Sequence, residues 1–152
     1  MTTALWRGLD AHRLEIARVE RLGSEVRATG TQLGVAYELR YELEPGLLRL
    51  EVVGEARAEV ALGDADFFDL GFSPLFNSLP VVRDGLLDVS RARDYVMRFV
   101  EVPSLEVATS PQRYEPLGER KVRFRSGNFT AVLEFAPDAL VERYEGLAER
   151  LR

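Results

Sequence analysis

The feature that most constrains the fold is a strict alternation of apolar and polar residues over Val35–Leu43. Odd positions in this stretch are apolar or aromatic, and even positions are mostly charged. A period of two places the two kinds of side chain on opposite faces, so the stretch predicts a half-buried β-strand. The alternation resumes at Leu48–Val52 after the turn residues Glu44-Pro45-Gly46, and residues 35–53 therefore predict a hairpin.

Similar patterns along the chain predict a mainly β protein. Two alternating runs flank Ser126-Gly127-Asn128 and predict a second hairpin over 121–135. About ten strands at short spacing predict a single domain over 1–152, built from one strongly curved antiparallel sheet. Near the C-terminus, Leu140–Tyr144 favours a strand, and we expect a short C-terminal helix after it.

The segment Asp69–Arg83 is too apolar for an ordinary surface loop and has too many breakers for one regular element. Ser73 followed by Pro74 suits the start of a helix, so we expect one short helical turn near 73–79. Pro80 should end this turn and send Val81–Arg83 into a strand. The segment then either plugs one end of the sheet or forms the wall of an apolar cavity, with Asn77 and Arg83 as polar contacts.

Composition excludes several classes of protein. The net charge of −5 argues against duplex nucleic acid as a partner, and the absence of cysteine excludes disulfides and thiolate metal sites. No apolar run reaches the length of a transmembrane segment, and the N-terminus lacks the pattern of a secretory signal. We therefore expect a cytoplasmic protein.

The sequence offers few groups for catalysis. The one histidine is His12, which lies with Asp10 and Glu15 in an expected polar connection between strands. No Gly-x-Ser-x-Gly elbow is present, and the acidic run Gly63–Asp69 does not have the spacing of a calcium loop. These observations predict a non-enzyme without catalytic residues, metal site or cofactor; an enzyme would depend on His12 or Asp69.

Five short motifs carry a family resemblance. They are Trp6-Arg7, Ser73–Pro80 leading to Arg83, Val102–Leu105, Gln112-Arg113-Tyr114 and Tyr144–Leu147. In this order and over nearly the whole chain, they resemble the bacterial putative glycolipid-binding family.

This resemblance implies a spiral β-roll that binds an amphipathic lipid or glycolipid without catalysis. The aliphatic part of the ligand would fill an apolar cavity of the curved sheet. Expected lining residues are Tyr37, Leu39, Tyr41, Met97, Phe99, Leu133 and Phe135. Expected contacts to the polar head are Trp6, Arg7, Asn77, Arg83, Gln112 and Tyr114. The alternative is a structural or protein-interaction module, such as a homodimer, with a filled core and no small-molecule ligand.

Overall fold

The computed structural model describes residues 2–21 and 25–151. These residues form thirteen strands, one α-helix and one 3-10 helix. The strands are β1 (Thr2–Gly8), β2 (Arg13–Arg21), β3 (Glu25–Gln32), β4 (Val35–Glu42), β5 (Leu47–Val52), β6 (Ala56–Ala61), β7 (Phe67–Leu70), β8 (Arg93–Val100), β9 (Val107–Gly118), β10 (Lys121–Ser126), β11 (Phe129–Phe135), β12 (Val141–Tyr144) and β13 (Ala148–Leu151). The helices are α1 (Pro74–Asp84) and a 3-10 helix at Leu86–Asp88.

All thirteen strands belong to one sheet, in the order β6-β5-β4-β3-β2-β1-β13-β12-β11-β10-β9-β8-β7. Neighbouring strands are antiparallel, except that β7 runs parallel to β8 at one edge. Both predicted hairpins are present, as β4–β5 and β10–β11. The predicted fold class, a mainly β protein with one curved sheet, is confirmed.

The connection between β6 and β7 explains why the sheet curls. These strands are the two edges of the sheet, yet only residues 62–66 separate them in the chain. Thirteen strands laid flat would span about 60 Å, whereas this connection reaches at most about 20 Å. The two edges must therefore approach each other, which rolls the sheet without closing it.

Helix α1 lies inside the roll. Its residues from Pro74 to Val81 are all buried. On one side Leu75, Phe76 and Leu79 join a core cluster built largely on β1–β6, and on the other Val81 joins a cluster built on β8–β13. The helix therefore fills the interior that the sequence predicted to be a hollow for an aliphatic chain.

The residues expected to line that hollow are largely packed. The Tyr41 ring lies 5.2 Å from the Phe68 ring and 6.2 Å from the Phe76 ring, measured between centroids. Met97, Leu133 and Phe135 are buried in the second cluster. Helix α1 contributes apolar side chains to both clusters.

The helix itself is longer than predicted. It extends through Pro80 to Asp84, so Val81–Arg83 are helical rather than extended. Gly85 ends the helix with φ +62°, and its N–H donates to the Val81 carbonyl. Burial on both sides stabilises the helix beyond Pro80, although proline removes one intrahelical hydrogen bond.

The C-terminal segment corrects another prediction. The strand through Tyr144 is present as β12, but the expected C-terminal helix is wrong, because β13 occupies Ala148–Leu151. Gly146, with φ +71°, makes the turn between the two strands. Ala148 then pairs with Tyr144 on one side and with Gly8 on the other. The apolar spacing that suggested a helix comes from two strands joined by this turn.

Candidate functional site

A recess of about 180 Å³ opens beside α1. Most of its wall is apolar and largely aromatic, and its polar side chains are Asp69, Asn77, Gln112 and Ser126. The apolar or small lining residues are Leu70, Gly71, Phe72, Phe99, Phe124, Phe129, Tyr144 and Leu147. An apolar recess with a few convergent polar groups is the usual form of a small-molecule site.

Three elements bring the polar groups together. Asp69 comes from the buried edge strand β7, and Asn77 comes from α1. Gln112 lies on β9, and because side chains alternate along a strand, Tyr114 two residues later faces the same side. The inward face of β9 therefore meets the helix.

The polar groups form one chain of hydrogen bonds at the floor of the recess. Asn77 Nδ2 donates to the Tyr114 hydroxyl over 3.1 Å, and this hydroxyl donates weakly to Gln112 Oε1 over 3.4 Å. Gln112 Nε2 then donates to Asp69 Oδ2 over 2.6 Å. All four side chains belong to buried residues, so their positions are fixed by bonds to one another.

The ionisable groups at the floor and wall of the recess have raised pKa values. Burial raises the pKa of the Asp69 carboxyl to about 7, and the negative charge of Glu15 adds to this effect. Hydrogen bonds from Gln112 and from the Leu70 N–H lower the pKa of Asp69, but by less than burial raises it. Burial likewise raises the pKa values of Tyr114 and Tyr144. Near neutral pH, Asp69 therefore changes charge while the tyrosine hydroxyls keep their protons.

Two aromatic rings are exposed at the mouth of the recess. Phe72 is 55% exposed and has φ +62°, a conformation that costs free energy for a residue with a Cβ atom. The Arg13 guanidinium lies 4.0 Å from the centroid of its ring. Phe129 is 46% exposed, and its ring lies 6.1 Å from Phe124. These rings form an apolar rim around the polar floor.

A second buried carboxylate, Glu15, anchors the start of α1. It accepts hydrogen bonds from Tyr37 Oη (2.7 Å), Ser73 Oγ (2.8 Å) and Leu75 N (3.3 Å). Burial raises the pKa of Glu15. The sequence placed Glu15 in a polar connection; instead it lies within β2, where Leu14 and Ile16 take the outer face and Glu15 points inward.

The predicted head-group contacts lie in different places. Three of them meet at the floor of the recess: Asn77, Gln112 and Tyr114. Trp6 is buried and donates from Nε1 to the Val141 carbonyl over 2.7 Å, which ties β1 to β12. Arg7 is exposed and pairs with Glu149. Arg83 is exposed in the last turn of α1, and its guanidinium lies 5.7 Å from the Phe67 ring centroid.

Sequence reasoning missed the place of Asp69 in the recess, because it treated Gly63–Asp69 as a charged turn. Only the first part of that run is a turn, and Phe67–Leu70 form β7. The available signal was a single carboxylate within the otherwise apolar run Phe67–Leu70, because a strand without alternation is typical of one buried on both faces. Within residues 2–21 and 25–151, no three histidine, aspartate or glutamate side chains are placed to hold a metal ion.

The fold and the recess together define a class: a β-roll protein with an unclosed sheet around a buried helix and a small, mostly apolar recess with a polar floor. Residues 50–150 match the family described as Putative glycolipid-binding, and the chain belongs to this family. The family resemblance seen in the sequence is thus confirmed. None of the described helices is long and apolar enough to cross a membrane.

A solved structure has the same fold. It is the crystal structure of a DUF1089 family protein from Pseudomonas aeruginosa, with a TM-score of 0.69 and 20% sequence identity. The match covers 99% of this chain and 98% of that one. At this level of identity the likeness concerns the fold alone. No curated protein matches this chain.

Proposed function

We propose that this protein binds the sugar head of a glycolipid in the recess, with the aliphatic part of the ligand outside the roll. The observation that carries the proposal is the chain of hydrogen bonds from Asn77 to Asp69 beneath aromatic walls. At about 180 Å³ the recess is smaller than the roughly 300 Å³ at which pockets for drug-sized ligands begin. This size suits one polar ring better than an acyl chain.

The chemistry of the floor matches that of a sugar. Sugar hydroxyls both donate and accept hydrogen bonds, and the carboxyl and amide groups of Asp69, Asn77 and Gln112 offer both functions. The aromatic walls match the apolar C–H face of a sugar ring. Because the floor is already fixed by internal bonds, little side-chain ordering opposes binding.

The tail of the ligand would contact the exposed rim. Phe72 and Phe129 together offer apolar surface at the mouth, and covering such surface contributes about 25 cal/mol per Å². This arrangement replaces the predicted aliphatic hollow, because α1 occupies the interior of the roll.

We propose binding without catalysis. Hydrolysis of a glycosidic bond ordinarily needs two carboxyl groups flanking that bond. Of the described residues that line the recess, only Asp69 carries a carboxyl group. Glu15 instead lines a neighbouring crevice and is occupied by the start of α1. A cytoplasmic location and the absence of a cofactor stay predictions.

Titration with three probes tests the proposal: octyl glucoside below its micelle concentration, octanol and free glucose. We expect saturable binding of octyl glucoside by calorimetry, with weaker binding of octanol and of glucose. Phe129→Ala should weaken octyl glucoside binding severalfold because it removes part of the rim. Val53→Ala is the matched control, since Val53 is 50% exposed and lies outside the recess. Equal binding of octyl glucoside and octanol would exclude recognition of the sugar.

The filled interior favours a second candidate, a structural or protein-interaction module. In that case α1 serves only to complete the core, and the recess binds none of the three probes. Organic extraction of the purified protein followed by mass spectrometry separates the two candidates. A stoichiometric glycolipid in the extract supports binding of a ligand. An extract without lipid, together with no binding of any of the three probes, supports the structural or protein-interaction module.

A further inference from the structure

The two edges of the sheet differ in how they are covered. All four residues of β7 are buried. In β6, by contrast, Ala56, Arg57, Glu59 and Ala61 are exposed and Ala58 is half-buried. An exposed edge strand offers unpaired backbone groups to any other strand of suitable sequence.

The hydrogen-bond pattern shows which groups of β6 face outward. Leu62 N–H donates to the Gly46 carbonyl at the end of the β5–β6 ladder. Because bonded positions alternate in an antiparallel ladder, Val60 and Ala58 direct their backbone groups to β5, while Arg57, Glu59 and Ala61 direct theirs away. Over residues 2–21 and 25–151, these three outward positions make no backbone hydrogen bond outside the ladder.

The side chains of β6 are complementary to β6 itself. Arg57 and Glu59 share the outer face, and their side chains are 82% and 66% exposed. They lie one residue to either side of Ala58. An antiparallel copy centred on Ala58 would therefore place each arginine opposite a glutamate, and opposite charges in register stabilise strand pairs.

We propose that two copies of this chain associate through β6, antiparallel and with the two-fold axis at Ala58. Arg57 of each copy lies opposite Glu59 of the other, and the backbones of these two residues exchange hydrogen bonds. The two Ala58 residues face each other as the non-hydrogen-bonded pair, where Cα atoms approach to about 4.5 Å and a small side chain fits. The same patch serves on both copies, as a closed two-fold interface requires.

A second copy fits this edge better than an unrelated strand because the charge pattern complements itself. A single six-residue strand buries little surface compared with the roughly 1,200 Å² of a stable interface. The association should therefore be weak and dependent on concentration. This inference does not depend on ligand binding in the recess.

Sedimentation velocity over a concentration series tests the inference with the full chain. Wild type should dimerise, whereas Arg57→Glu and Glu59→Arg should each weaken self-association at least tenfold, since like charges then face each other. An equimolar mixture of the two variants should form heterodimers, because the carboxylates of one variant then lie opposite the guanidinium groups of the other at both paired positions. The double variant R57E/E59R should dimerise like wild type.

Each single variant also loses an ion pair within its own chain, Arg57 with Glu51 or Glu59 with Arg49. The mixture controls for this loss, because it contains the same two folded chains. Arg91→Glu, the same charge change as Arg57→Glu at an exposed position outside β6, should leave self-association unchanged. A wild type that is monomeric at every accessible concentration, single variants that dimerise normally, or a mixture that stays monomeric would each overturn the proposal.

Discussion

Gln112 Nε2 lies 2.6 Å from Asp69 Oδ2, and this bond joins strands that are not neighbours. Gln112 is on β9 and Asp69 on β7, with β8 between them in the sheet. The bond therefore passes over β8 on the inner face of the roll. It fixes the amide that also accepts from Tyr114, so the geometry of the whole polar floor depends on it.

Replacing Asp69 with asparagine should change how stability depends on pH. The folded pKa of Asp69 is raised to about 7 from 3.8, so its protonated form favours the fold. The stabilisation by protonated Asp69 is complete below about pH 4, declines as pH rises towards 7 and stays lost above pH 7. Relative to Asp69→Asn, wild type should lose on the order of 3–4 kcal/mol of unfolding free energy between pH 4 and 8.

Urea unfolding at several pH values measures this difference. Asp94→Asn is the control, because the Asp94 side chain is 73% exposed and paired with Arg113 at the surface. The unfolding free energies of wild type and Asp94→Asn should differ little. If wild type and Asp69→Asn change in parallel over this pH range, the carboxyl is not buried in the way described.

Two buried tyrosines should respond in opposite ways to loss of the hydroxyl. Among the described residues, Tyr41 Oη is buried without a hydrogen-bond partner, whereas Tyr37 Oη donates to Glu15 over 2.7 Å. Tyr41→Phe should raise the unfolding free energy by about 1 kcal/mol, because an unpaired polar group leaves the core. Tyr37→Phe should lower it by about 1–3 kcal/mol, because Glu15 loses a donor. Denaturant unfolding of both variants provides the measurement, and equal effects would contradict the assignment.

Ser78 connects α1 to the sheet. Its hydroxyl donates to the Pro74 carbonyl over 2.9 Å and accepts from the Val141 N–H over 3.0 Å. Ser78→Ala leaves that buried N–H without its partner and should cost about 1–3 kcal/mol of unfolding free energy. Ser104→Ala, at an exposed serine, should change stability by less than about 0.5 kcal/mol. If Ser78→Ala leaves the unfolding free energy unchanged, another acceptor must bind the Val141 N–H.

Gly30 gives room to Tyr37. A Cβ atom at this position would lie 2.5 Å from the Leu14 carbonyl oxygen and 2.6 Å from the Tyr37 ring. Gly30→Ala should therefore displace the ring, weaken its bond to Glu15 and cost about 1–3 kcal/mol by overpacking. Thr29→Ala, at the exposed neighbouring position, is the control for placing an alanine in this strand. In thermal unfolding, the melting temperature of Gly30→Ala should be clearly lower than that of Thr29→Ala.

The sequence was sufficient where a local pattern determined the structure. The alternation around Tyr37–Tyr41 predicted β4 and its hairpin, because one face of that strand is buried and the other is solvated. The family motifs also placed Asn77, Gln112 and Tyr114 among the site residues, and the fold brings these three together.

The sequence was insufficient where distant contacts determined the structure. The helix continues through Pro80 because it is packed on both sides, which no local propensity reports. Leu147 and Leu151 have helical spacing but belong to a turn and a strand that pairs with β1. Asp69 appeared to be a turn residue, since its burial depends on β9 and α1, which follow it in the chain.

The pairing of β1 with β13 joins the first and the last of the described strands in the middle of the sheet. During synthesis on the ribosome, β1 emerges early and must wait for β13 before its second neighbour exists. Until then the growing chain holds two partial sheets, each with an open strand that will later become interior. Such open strands are prone to aggregate, so the slow step of folding and the moment of greatest need for a chaperone should both fall at the arrival of the last strand.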